Sequence, residues 1–192
     1  MDESIVAALL GAEGRELLST IDENREGKGD LALGTELRKN YDPSLVAAAM
    51  TQHHLRQKAE AKFGPQAALM WFTPDALEQS TRFAVAQHRA RRLVALGVEA
   101  VVDLGCGIGG DLVACAQAGI AVRGIEMDPV RAALSQANLE ALSLPGTVTL
   151  GDALTTEIEP HEVAFVDPAR RDGRGRVFTL DRLQPSWEFV TG

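Results

Sequence analysis

Val101-Val102-Asp103-Leu104-Gly105-Cys106-Gly107-Ile108-Gly109-Gly110-Asp111 decides the fold of this chain. An apolar run ends in an acid, glycines alternate, and a helical pattern begins. Glycine carries no Cβ, so the backbone can turn tightly there and approach a ligand closely. The helix that follows offers unpaired N–H groups at its start. This is the layout of a strand, a ligand-facing turn and a helix.

Working outward, the period changes on either side of that turn. Ala100–Leu104 reads as a short buried strand and Gly110–Ala118 as a helix closed by Gly119. Ala121–Glu126 reads as a second strand. Asp128 is placed to cap a helix with Pro129 at its first position, running to about Ser143. Pro145-Gly146 turns into a strand over Thr147–Leu150, and a fourth strand is expected over Glu162–Val166. Strands alternating with helices imply parallel βαβ units with right-handed crossovers. The expected class is α/β, a Rossmann-like parallel sheet of order 3-2-1-4. In such sheets ligands bind beyond the carboxyl ends of the strands.

Residues 1–97 read as a helical N-terminal region, and 98–192 as the start of the Rossmann-like domain. Asp42-Pro43-Ser44 opens one helix, and Phe63-Gly64-Pro65 breaks it. Thr73-Pro74 opens another, with Leu77, Phe83, Ala84, Leu93, Val94 and Leu96 as its apolar stripe and Gly97 as its stop.

Composition excludes several classes. The 192 residues are 45% hydrophobic and 24% charged, a globular balance. The net charge is −8, of which residues 1–36 carry −6 (nine acids, three basic residues), so a basic surface elsewhere stays open. Cys106 and Cys115 form no CxxC pair and read as two small buried thiols, which suits a reducing cytoplasm. His53, His54, His88 and His161 lack metal-ligand or triad spacing, so no metal is expected. No apolar run approaches a membrane span, and Met1-Asp2-Glu3-Ser4 is unlike a signal peptide.

All four strand ends carry an acid: Asp103, Glu126-Met127-Asp128, Gly151-Asp152-Ala153 and Asp167-Pro168-Ala169-Arg170-Arg171. A dinucleotide site is the rival reading, since Gly105-x-Gly107-x-x-Gly110 satisfies GxGxxG and Glu126 follows at the expected distance. But Asp103 would repel a pyrophosphate, and nothing in that rival requires Gly151-Asp152. The motif also begins a hundred residues into the chain.

The four strand ends together, over residues 98–171, resemble the class I S-adenosylmethionine-dependent methyltransferases. The resemblance implies that Asp103, Gly105, Gly107 and Gly109 cradle the methionine part of S-adenosyl-L-methionine. It implies that Glu126 takes the ribose hydroxyls and that Met127 packs on the adenine. Asp152 would bond the adenine amino group, with Ala153 adding a backbone N–H. Asp167 and Pro168 would be the catalytic pair at the fourth strand. The physical reading agrees, because a carboxylate accepts two hydroxyls and acids suit a sulfonium.

The fourth motif is less complete. Enzymes that methylate exocyclic amines often carry (N/D)PP(Y/F/W), whereas this chain has Ala169 and Arg170 in place of the second proline and the ring. Arg170 and Arg171 are candidate substrate-binding residues. Arg170 could stack on a base or bind phosphate, or it could pair with Asp167. Neither cysteine follows the fourth strand, so a cysteine nucleophile is not expected.

Two groups of arginines bracket the expected cleft: Arg82, Arg89, Arg91 and Arg92 before the sheet, and Arg170, Arg171, Arg174 and Arg176 after it. They make RNA the expected partner. A looser resemblance points the same way. The Phe72-Thr73-Pro74 helix, His88-Arg89-Ala90-Arg91-Arg92, the Asp103 loop and Asp167-Pro168-Ala169-Arg170-Arg171 are similar to a bacterial family with a trimethylguanosine-synthase-like core and often a THUMP-like domain. The alternatives are a non-catalytic RNA-binding module, a small-molecule methyltransferase or an aminopropyltransferase.

The class I resemblance implies seven strands, ordered 3-2-1-4-5-7-6, and only four are legible here. The chain therefore reads as the N-terminal portion of a longer protein, truncated before strands five to seven and able to bind cofactor without turnover. The fourth strand would then be an edge. It would be paired with a second copy in a homodimer, covered by the helical region, or poorly ordered.

Overall fold

The structure is a computed structural model that describes residues 1–24 and 29–167, together with the backbone of 171–172 and 175–176. Helices α1 (Glu3–Leu10), α2 (Ala12–Asn24), α3 (Asp30–Leu37), α4 (Pro43–Phe63), α5 (Pro74–Gln79) and α6 (Phe83–Ala95) precede the sheet. Then come β1 (Ala100–Leu104), α7 (Gly110–Gln117), β2 (Ala121–Glu126), α8 (Pro129–Ala141), β3 (Thr147–Leu150) and β4 (Glu162–Phe165). The sheet is parallel, in the order β3-β2-β1-β4 expected from the sequence. β5 (Arg171–Asp172) and β6 (Gly175–Arg176) form a separate antiparallel pair.

Local chemistry sets the helix boundaries. Asp42 accepts from the N–H groups of Ser44 and Leu45 with Pro43 in the first turn, and Gly64 ends α4 at φ +66°. Asp128 caps α8 through Arg131 N–H, again with a proline behind it. The sequence suggested one helix from Thr73 to Leu96, but the chain breaks it at Ser80–Arg82, where Ser80 and Arg82 are extended. The Lys62 ammonium explains the break. It donates to the carbonyls of Leu77, Glu78 and Ser80 at 2.6–2.9 Å, which uses acceptors that a continuous helix would need. The apolar stripe is corrected too. Phe83, Ala86, Ala90 and Leu93 face inward, while Ala84, Val94 and Leu96 are exposed.

Strand alternation sorts the core. Register partners Val101 and Val122 point into a cluster with Leu112, Val113, Phe83 and Phe63. Val102, Leu104 and Ile125 form a small cluster on the opposite face with Ala153 and Val166. A third cluster joins α1–α4 to Leu134 and Ala137 of α8, so the helical region packs directly on the sheet's own helix.

Two buried amides join these layers. Gln52 receives Phe72 N–H and donates to Met70 C=O. Asn138 of α8 receives Trp71 N–H at 2.6 Å and donates to Trp71 C=O at 3.1 Å and Ile108 C=O at 2.9 Å. The glycine turn is thereby tied to the segment that ends the helical region. Among the described residues β4 lies at the sheet edge, and its Val163 is exposed. No helix among the described residues is long and apolar enough to cross a membrane.

Candidate functional site

The carboxyl ends of β1, β2 and β4 meet at the glycine turn. Backbone bonds fix its path: Gly105 and Cys106 N–H both donate to Ile125 C=O, and Gly109 N–H returns to Cys106 C=O. Gly105, Gly107 and Gly109 all have positive φ, between 59° and 94°. At Gly109 a Cβ would lie 2.4 Å from Ser135 Oγ, so both conformation and space demand glycine. Beside Gly105 and Gly107 the space is open, with no other described atom within 4 Å of a notional Cβ. The turn is crowded beneath and clear above, as a cradle for a ligand requires.

Glu126 closes one side. It is 4% exposed, and its carboxylate is turned onto the glycine turn. Oε2 accepts from Gly107 N–H at 2.9 Å, while Oε1 accepts from Asp128 N–H at 3.0 Å and lies 3.2 Å from Arg131 Nη2. Of a carboxylate's about four acceptor positions, three are taken, so one is left for a hydroxyl donor and a second requires Arg131 to give way. Met127, next in the chain, is 68% exposed at the rim. Asp152 caps the short turn Ala153–Thr155 by accepting Leu154 N–H, and it is exposed beyond β3.

Asp103 is 4% exposed at the end of β1. Burial, with the negative charges of Asp111 and Asp167 nearby, pushes its carboxyl well above the usual range. Asp111 is raised chiefly by burial, against the opposing pull of Arg89. Burial likewise pushes the Cys106 thiol up, and the Cys115 thiol up to about 12, so neither is poised as a thiolate. Both cysteines are buried, as expected.

Asp167 sits beyond β4, exposed, beneath the α5–α6 corner. Thr81 Oγ1 donates to its Oδ2 at 3.5 Å, and Arg89 Nη1 lies 3.7 Å from the same oxygen. The structure brings Asp103, the glycines, Glu126 and Asp167 together, with Met127, Asp152 and Ala153 on neighbouring strand ends. Pro168 and Arg170 lie outside the described residues, and of Arg171 only the backbone, in β5, is described.

Sequence reasoning missed Arg89, Asp111, Thr81 and Asn138. It grouped Arg89 with an arginine run, yet Arg89 points inward and takes Asp111 in a two-pronged pair at 2.7–3.0 Å. Its spacing from Phe83 and Ala86 was the available signal. Asn138, four residues after Leu134 on the inner stripe of α8, carried a similar one.

The donor set fits a particular kind of ligand. Four carboxylates surround an open glycine turn, and two arginines, Arg89 and Arg131, pair with them. Negative charge remains in excess, which suits a cationic group and opposes a pyrophosphate. A buried carboxylate at the end of β2 suits a diol.

Comparisons with known proteins agree with this architecture. Residues 2–59 match a domain of unknown function, DUF8688. Over 136 residues the chain is 38% identical to an uncharacterized S-adenosylmethionine-dependent methyltransferase of Mycobacterium tuberculosis, in strains CDC 1551 / Oshkosh and H37Rv alike. That similarity covers 68% of this chain. The chain spans 37% of the length of these curated relatives. A solved "putative methyltransferase" from Porphyromonas gingivalis W83 superposes with a TM-score of 0.62 at 22% identity, over 96% of this chain and 45% of that one. The chain has the Rossmann-like fold of that protein.

Proposed function

We propose that this chain forms the S-adenosylmethionine-binding part of a class I methyltransferase acting on RNA. The observation that carries the cofactor is the excess of carboxylates round an open glycine turn, with Asp103 buried at its centre. The similarity to the mycobacterial relatives supports the same reading. When bound, S-adenosylmethionine supplies an electrophilic methyl group.

Each residue has a definite task in this reading. Glu126, already oriented by two backbone N–H groups, holds the ribose hydroxyls. Gly105, Gly107 and Gly109 let the backbone come close, and Asp103 places negative charge beside the cationic sulfur. Met127, Asp152 and Ala153 line the adenine side. Asp167, with Pro168 after it, orients the acceptor, so catalysis is largely positioning. Burial raises the carboxyls of Asp103 and Asp111 from the ordinary range. A cation beside them favours their ionised forms.

RNA rests on the arginines. Arg82, Arg91 and Arg92 are exposed on or beside α6, and Arg170 and Arg171 follow the fourth strand in sequence. Two buried thiols suit a cytoplasmic setting. The exposed edge of β4 is where a second copy would add in a homodimer.

Calorimetric titration with S-adenosylhomocysteine tests the cofactor. Binding by the parent chain, lost in Asp103→Ala, is expected, and no binding by the parent refutes it. Salt-dependent RNA binding, with transfer of labelled methyl by the full-length protein, tests the acceptor. RNA affinity indifferent to cofactor, with no transfer by the full-length protein, would instead favour a non-catalytic RNA-binding module.

A further inference from the structure

Arg89 stands where three elements meet. Carried by α6, it reaches the first turn of α7 and the end of β4. Its Nε and Nη2 hold both oxygens of Asp111, and Nη1 approaches Asp167 Oδ2 at 3.7 Å. The guanidinium also lies over the Phe165 ring, 5.0 Å from its centroid. Its side chain is only 30% exposed, unlike the outward Arg91 and Arg92.

Such a cation opposes the surrounding chemistry. A site built only to attract a positive ligand would not contain it. The geometry gives it two acids to hold, one on the floor of the site and one at the acceptor end. Its charge and that of the largely buried Asp111 act on the same small volume, where Coulomb terms are less screened than in water, while the exposed Asp167 adds a weaker pull.

We propose that Arg89 sets the charge balance of this site and so limits its preference for the sulfonium cofactor over the neutral thioether product. The inference rests on the methyltransferase reading above. Transfer removes the positive charge from sulfur. A site with unmoderated acids would favour the cation strongly, whereas Arg89, by neutralising Asp111 and drawing on Asp167, brings the two affinities closer. It is a positioning residue, placed in the site by the helical region. The Lys62 cap of the α5–α6 corner and the Phe165 stack fix where it stands.

The test is paired calorimetry of the 192-residue chain with S-adenosylmethionine and S-adenosylhomocysteine. Arg89→Met should raise the preference for S-adenosylmethionine about fivefold, a change of the size expected for one charge at short range. Arg89→Lys, which keeps the charge, should stay within about twofold of the parent. Asp111→Asn should shift the preference the other way. A purely structural role would weaken both ligands alike, and an unchanged ratio in Arg89→Met overturns the proposal. Should Arg89→Met fail to fold, an unchanged ratio in Asp111→Asn does the same. A parent chain that binds neither ligand overturns the methyltransferase reading as well, and that outcome is distinct from the others.

Discussion

The two ends of the candidate site are built differently. At β1 and β2 the glycine turn is held by buried bonds: Asn138 to Ile108 C=O, Glu126 to Gly107 N–H, and Ile125 C=O to two successive N–H groups. At β4 the exposed Asp167 has contacts at 3.5 and 3.7 Å, beyond the range of a strong hydrogen bond. The first half is over-determined and the second is loosely held. A ligand-binding cradle gains from being fixed before the ligand arrives, whereas an acceptor-orienting group can complete its contacts when the acceptor is present.

The contrast can be broken most easily at Asn138. Replacing it with alanine leaves Trp71 N–H, Trp71 C=O and Ile108 C=O without their buried partner. Each such orphan costs about 1–3 kcal/mol, so the expected loss is roughly 4 kcal/mol in a urea unfolding curve. A loss below about 1 kcal/mol would show that the turn does not depend on that tie.

Gly109→Ala should rank next. The new methyl meets Ser135 Oγ and the residue keeps φ +78°, for a combined cost of about 2–3 kcal/mol. Ser135→Ala in the same chain removes the atom in the way. It should recover the steric share and leave the backbone share. Failure to recover any stability would place the whole cost in the backbone.

Much of the fold was legible because its signals are local. Asp128-Pro129 and Asp42-Pro43 mark helix starts, and the short run Ala100–Leu104, closed by a glycine turn, reads as a buried strand. What escaped was tertiary. Nothing near Ser80 in sequence announces that Lys62, eighteen residues earlier, will take its carbonyl and split a helix. The arginines of α6 look alike in sequence, but the helix turns only Arg89 onto Asp111. The ligand edge itself was readable, because strand ends of a parallel sheet converge whatever surrounds them. The side chains that tie that edge to the helical region, Asn138 above all, depend on packing between distant segments.

A third test concerns the sign of a charge effect. The raised carboxyl of Asp103 means that the fold favours its protonated form. That contribution is fully present below the ordinary carboxylate range and is lost as pH rises through the raised folded value. Asp103→Asn imitates the protonated group. The variant should therefore have a higher Tm than the parent at pH 8, with the gap narrowing towards pH 4. A lower Tm at pH 8 would mean that the ionised carboxylate stabilises the empty fold. The same substitution should weaken cofactor binding, the trade expected where a site stores unfavourable charge for its ligand.

The smallest effect is expected at the other end. Asp167→Asn removes a charge that is solvated and reached only by long contacts. Exposed pairs of this kind contribute about 0–1 kcal/mol, so the urea midpoint should move by no more than about 0.5 kcal/mol in free energy. Taking Asp167 away from Arg89 and Asp103 even relieves some like-charge repulsion on Asp103, which offsets part of that loss. A cost above about 1.5 kcal/mol would show that the β4 end is as firmly built as the glycine turn and would remove the contrast. If the cost is small, a methyl transfer lost when the full-length protein carries the same substitution can be assigned to the acceptor's orientation, because the fold that holds the cofactor has not changed.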